Sequence, residues 1–232
     1  MEGRTTQNYV NILNKITSVI CIAPQTILSD FEKAERNALQ TVFPNAKIID
    51  CFFHYSQALV CNAKKHRILK GDEEVGMGAT KLLISLALLP KHFIEDGFKI
   101  ICNIIFKNCS YLEAFFKYYK DTWINGFKPE SFCVYKEFHR TNNVSEQHNR
   151  ELRESLGKHS TIVAFLANLT EHQKSIHSIL KHPKFWLRSR RSSKDKDEEL
   201  QKIWQAMENS NELSHLSIEP QFLGKAFYIP AL

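Results

Sequence analysis

The chain is predicted to be a mostly helical α/β protein, and two observations carry that expectation. One stretch, Gln25 to Leu59, reads as strand, helix, strand, helix. Beyond Leu59, apolar residues recur mostly at spacings of three and four, the period of amphipathic helices.

The organising stretch is QTILSDFEKAERNALQTVFPNAKIIDCFFHYSQAL. Thr26-Ile27-Leu28 is a short apolar run that ends in Ser29-Asp30. Phe31, Ala34, Ala38 and Val42 recur at helical spacing and give one apolar face. Pro44-Asn45 breaks that helix, and Lys47-Ile48-Ile49 forms a second short strand. Cys51 and His54 follow at C-x-x-H spacing. Two strands joined by a helix of this length predict a right-handed βαβ unit with parallel strands. Functional groups gather at the carboxyl ends of such strands, so Asp30 and the Cys51/His54 pair should be neighbours in space.

Each of these residues also has a simpler reading. Ser29 to Glu32 fits a capping box, with Asp30 complementing the helix dipole. Cys51 reads as a small buried hydrophobe, and His54 as a packed residue opening the next helix. One Cys and one His make half of a tetrahedral zinc site.

The 232 residues suit one large domain or one and a half. Hydrophobic content of 43% and charged content of 24% are ordinary for a soluble protein. The net charge of +6 is compatible with a polyanionic partner. The six cysteines (Cys21, Cys51, Cys61, Cys102, Cys109 and Cys133) are scattered, and the N-terminus has no apolar signal core. Reduced thiols and a nuclear or cytoplasmic, non-secreted location are expected. The most apolar run, Leu82 to Leu89, is too short to span a bilayer.

Upstream of the βαβ unit, Thr6 to Ile20 reads as a helix. Downstream, GDEEVGMG (Gly71 to Gly78) reads as a polar break. Three helical segments follow, at Thr80 to Leu89, Lys91 to Lys107 and Tyr111 to Trp123, ended by Gly126 and Pro129. Phe132 to Phe138 is expected to be extended. A helix should begin near Asn143 in RTNNVSEQHNRELRESLG, with Glu146, Arg150 and Arg153 on one side and Gly157 as its C-cap. A longer helix, Thr161 to Leu180, comes next. The basic run Lys181 to Lys196 holds Lys184, Trp186, Arg188, Arg190 and Arg191, either as a solvated linker or as phosphate contacts with Trp186 stacking on a base. A short helix, Asp197 to Glu208, and a tail complete the chain. The expected organisation is residues 1–60 as α/β core, 61–130 as a helical insertion, 131–180 as an extended segment with two helices, and 181–232 as linker, helix and tail.

Three segments taken together, PQTILSDFEKAERNAL, VFPNAKIIDCFFHYSQAL and RTNNVSEQHNRELRESLGKHSTIVAFLANL, resemble the transposase domain of Mutator-like elements (MULE). The resemblance spans about Pro24 to Leu169. It implies an RNase H-like fold with a three-carboxylate site for DNA strand cleavage and transfer. By resemblance, Asp30 matches the second catalytic aspartate, Glu146 the catalytic glutamate after the helical insertion, and Cys51 with His54 the C-x-x-H motif beside the site. The implied cofactor is Mg²⁺ or Mn²⁺ held by Asp30 and Glu146, because carboxylates hold the two metals of in-line phosphoryl transfer. DNA is the implied partner, with Arg150 and Arg153 placed to hold a backbone.

The departure from the family is on the N-terminal side. No Asp precedes Asp30, so the first catalytic aspartate has no counterpart, and the first strands of the family's sheet are expected to be missing. Asp50 is a carboxylate at a strand end, but nothing in the resemblance moves the role to it. Two readings follow: a transposase-type enzyme represented in part, inactive alone, or a non-catalytic DNA- or protein-binding remnant. A third, a structural zinc module, would need Cys133 or His139 as partners at irregular spacing. An open-edged two-stranded sheet also predicts self-association.

Overall fold

In the computed structural model, residues 3–68, 73–106, 109–157, 161–181 and 191–210 are described. The element order begins with α1 (Thr6–Val19), β1 (Thr26–Ser29), α2 (Lys33–Val42), β2 (Lys47–Asp50) and α3 (Phe52–Lys65). It continues with α4 (Glu73–Ser85), α5 (Ile94–Phe106) and α6 (Glu113–Tyr119), a π-helix (Lys120–Phe127), and α7 (Pro129–Phe132). The last three helices are α8 (Asn143–Leu156), α9 (Ile162–Lys181) and α10 (Arg191–Ser210). The chain is mostly helical with a small parallel sheet, in line with the expected class. Two compact units emerge: residues up to Thr141 together with those from Ile203, and Asn142–Lys202.

The sheet positions the candidate site. β1 and β2 pair in parallel, with Thr26 opposite Lys47 and Ser29 opposite Asp50. The pairing extends one step further, where the Cys51 amide donates to the Ser29 carbonyl at 2.9 Å. Ala38 and Leu39 of α2 are buried, and so are Ile48 and Ile49 of β2. Among the described residues no third strand pairs with either one.

A buried aromatic cluster joins α3 to the helices after it. Tyr55 stacks on Phe132, with centroids 5.0 Å apart, and meets Trp123 edge-on at 4.7 Å. Its hydroxyl donates to the Leu83 carbonyl at 2.8 Å and receives a bond from the Tyr119 hydroxyl at 2.8 Å. Tyr55, Tyr119, Phe115 and Phe132 are fully buried. The Trp204 indole N–H, on the last part of α10, donates to the Leu88 carbonyl at 2.9 Å and fastens that helix end to the same unit.

Several local expectations are corrected. The capping box does not form: Glu32, not Ser29, is the N-cap of α2, and no side chain caps it. The Ser29 hydroxyl is taken by Asp50 instead. Asp30 therefore lies outside the first turn, and the dipole reading of it fails. Gly76 and Gly78 sit inside α4, because a glycine at 76 lets the backbone approach the Ile68 carbonyl too closely for a Cβ. Gly126 lies within the π-helix; the turn is made by Lys128 at φ 68, and Pro129 opens α7 rather than ending a segment. Phe132–Phe138 is not a strand: Phe132 ends α7, and a turn at Lys136 with φ 59 follows, closed by the Glu137 amide on the Val134 carbonyl. The last helix starts at Arg191, earlier than expected, so part of the basic run is helical.

Candidate functional site

Asp30 and Cys51 each sit one residue beyond the last paired positions of the sheet. Parallel strands end on the same side, so this register brings the two together. Cys51 is also the N-cap of α3, and His54 stands on the first turn of that helix. The three-residue spacing turns His54 back over Cys51, towards Asp30. The His54 Nδ1 lies 2.9 Å from the Asp30 Oδ1. One ligand-type atom from each of Asp30, Cys51 and His54 lies within 4.8 Å of the others. Cys51 is fully buried. The side chains of Asp30 and His54 are 50% and 30% exposed, so the cluster is closed behind and open in front.

The open side is a pocket of about 540 Å³, lined by Asp30 and His54, by Arg4, and by Tyr118, Trp123 and Phe127. The π-helix sets its aromatic wall. Phe31 meets Trp123 edge-on at 4.9 Å and Phe127 at 5.0 Å. Trp123 and Phe127 are four residues apart on this segment, so both rings face the same side, towards Phe31. The four-residue spacing is visible in the sequence, but nothing there marks Phe31 as the residue the two rings meet.

Negative charge accumulates at the strand ends. Asp50 is fully buried, receives a hydrogen bond from the Ser29 hydroxyl at 3.1 Å, and pairs with Arg36. Burial pushes its carboxyl up to about 6, against the pull of Arg36 and Ser29. Burial also raises the Glu35 carboxyl, helped by Asp30, Glu32 and Asp50. Glu32 accepts from the Tyr9 hydroxyl at 2.9 Å. Asp50 is therefore committed to holding α2 against the sheet. Its Arg36 partner is not found from sequence, because nothing in the spacing marks which α2 face carries it.

Glu146, on the first turn of α8, and Arg150 and Arg153 further along it are exposed and belong to the second compact unit. Lys184, Trp186, Arg188 and Arg190 lie outside the described residues, and Arg191 is the first residue of α10. Cys133, a partner in the structural zinc alternative, directs its thiol to the Leu89 carbonyl at 3.4 Å.

The geometry defines a parallel α/β unit that presents a carboxylate, a thiol and an imidazole together at its strand ends. Residues 1–58 match the family model of the MULE transposase domain, so the resemblance seen in the residues holds for that segment. The matched segment contains both strands and all three side chains of the cluster. No curated protein and no solved structure matches the chain. Among the described residues no helix is long and apolar enough to cross a membrane.

Proposed function

We propose that this chain is a DNA-binding protein derived from a MULE-type transposase, and that by itself it neither cuts nor joins DNA. The observation that carries the reading is the match of residues 1–58 to the transposase domain. On this reading residues 1–60 are part of an RNase H-like core, 61–130 the helical insertion, 131–180 the segment bearing the glutamate helix, and 181–232 a basic C-terminal part. Asp30 and Glu146 hold the places of two of the family's three carboxylates.

DNA contact falls to basic groups. Arg150 and Arg153 are exposed on one side of α8, one and two turns from Glu146. A duplex offers closely spaced phosphates, and each guanidinium that neutralises one releases counterions. Lys184, Arg188, Arg190 and Arg191 add charge of the same sign, and Trp186 supplies a ring on which an unpaired base can stack.

The family's chemistry is generally metal-dependent, and a metal pair would supply charge neutralisation at the transferred phosphate. The donors beside Asp30 do not fit a Mg²⁺ or Mn²⁺ cage. Those ions take hard oxygen ligands, whereas the nearest partners here are an imidazole and a buried thiol. The carboxylate at the end of the neighbouring strand, Asp50, is buried and paired with Arg36. No cleavage step is therefore assigned to these residues. The second reading, a protein-binding remnant, is separated from the first by DNA itself.

Supercoiled plasmid incubated with the purified chain and Mg²⁺ or Mn²⁺ tests both halves. Retardation without nicking is expected, weakened by Arg150→Ala/Arg153→Ala. Nicking abolished by Asp30→Ala would overturn the non-cleaving half. No retardation at low salt would favour the protein-binding reading.

A further inference from the structure

We propose that Asp30, Cys51 and His54 form a three-ligand site for Zn²⁺, with a fourth position open to the pocket bounded by Trp123 and Phe127. The inference stands on this cluster's geometry and does not depend on DNA binding.

The backbone fixes two of the ligands before any metal is present. The Cys51 amide is tied to the Ser29 carbonyl at 2.9 Å, which holds the residues after both strands side by side. The Tyr55 amide donates to the Cys51 carbonyl at 3.1 Å, so the first turn of α3 sets His54 above Cys51. Zinc bonds of roughly 2.0–2.3 Å in tetrahedral geometry place ligand atoms about 3.3–3.7 Å apart. The Asp30–His54 pair, at 2.9 Å, is slightly inside that spacing, and every pair lies within 4.8 Å. Side-chain rotation of Asp30 and His54, both part-exposed, is enough to close the set around an ion.

Donor chemistry selects the ion. A thiolate, an imidazole and one carboxylate suit Zn²⁺, which accepts sulfur, nitrogen and oxygen alike. Glu32 lines the same pocket, with Arg4 3.7 Å from it. Cys51 is fully buried, so its sulfur would close the inner side of the site. Three protein ligands with one accessible position is the arrangement of zinc sites that act on a bound molecule, not of closed structural ones.

The test uses the full chain, reduced, freed of metal with a chelator, and titrated with Co²⁺ and then Zn²⁺. One equivalent of Co²⁺ should give a sulfur-to-metal charge-transfer band and intense tetrahedral visible bands, both removed by one equivalent of Zn²⁺ and untouched by excess Mg²⁺. Cys51→Ser should abolish the charge-transfer band, while Cys61→Ser, at an exposed thiol, should leave it unchanged. Asp30→Asn and His54→Ala should each weaken binding by at least ~100-fold, since losing a ligand costs no less than losing its supporting hydrogen bond. No charge-transfer band, or one that survives Cys51→Ser, would overturn the proposal. If Cys51→Ser disturbs folding, as thermal unfolding would reveal, unchanged Zn²⁺ affinity in His54→Ala overturns it equally.

Discussion

The His54 imidazole faces the Asp30 carboxylate at 2.9 Å, although the two belong to different elements of the βαβ unit. The contact exists because β1 and β2 run parallel and end in step, with Ser29 opposite Asp50. It is a part-exposed pair, and such pairs contribute little to stability. His54→Ala should cost less than about 1 kcal/mol in denaturant unfolding. A loss of several kcal/mol would mean that the pair is a structural support rather than part of a site.

Asp50 makes stability pH-dependent. Its carboxyl moves from 3.8 to about 6 because burial disfavours the charged form. The folded chain therefore holds this proton more tightly than the unfolded one. The contribution is fully present below 3.8 and is lost as pH rises through about 6. A shift of this size corresponds to roughly 3 kcal/mol between the two limits. Unfolding free energy of the parent should fall across that window, and Asp50→Asn should flatten the slope. Parallel slopes for parent and variant would show that Asp50 is ionised throughout.

The two buried tyrosines should not be equivalent. Tyr119→Phe removes one hydroxyl but leaves the Tyr55 hydroxyl on the Leu83 carbonyl, at a cost of about 1 kcal/mol. Tyr55→Phe leaves both the Leu83 carbonyl and the Tyr119 hydroxyl without their partner, so roughly 2–3 kcal/mol is expected. Chemical denaturation of both variants checks the order, and the reverse order would contradict the hydrogen-bond arrangement.

Gly76 should be intolerant of any side chain. A Cβ there would overlap the Ile68 carbonyl oxygen and come within 2.7 Å of its Cγ2. Although alanine normally favours a helix, Gly76→Ala should destabilise by more than about 2 kcal/mol. Gly78→Ala, with open space around its Cβ, is the control and should be neutral or stabilising. Equal thermal shifts for the two would refute the close approach.

Much of the fold is legible in sequence where punctuation is strong. Pro24 and Pro44-Asn45 bound the short apolar runs, so the two strands and their parallel pairing are predictable, and with them the meeting of Asp30, Cys51 and His54. Where β1 ends and α2 begins is not legible. Ser29 is still the last residue of β1 and α2 begins only at Lys33, so its oxygen is too far back to cap the helix, and its hydroxyl donates to Asp50 across the sheet. Trp123 and Phe127, four residues apart, both reach Phe31 from one continuous helical segment, whereas the helix was expected to end at Trp123. Phe132–Phe138 looks extended from its apolar content, but Val134 is buried through a bond to the Ala87 carbonyl and not through a sheet.

Ile12, Ile16 and Val19 of α1 are exposed, along with Ile20 and Ile22 just beyond it. An apolar strip of this kind favours pairing between copies. Size-exclusion chromatography should show an apparent mass that rises with concentration, reduced by Ile12→Glu/Ile16→Glu. A concentration-independent monomer would show that the strip is tolerated in water.

Binding of a fluorescently labelled DNA duplex, followed by anisotropy across a series of salt concentrations, tests the central claim most directly. The account predicts saturable binding at low salt whose logarithmic affinity falls linearly with the logarithm of salt concentration. Arg150→Ala and Arg153→Ala should each reduce the slope by about 1, as expected for one lost phosphate contact. No binding at low salt, or an affinity indifferent to salt, would contradict it.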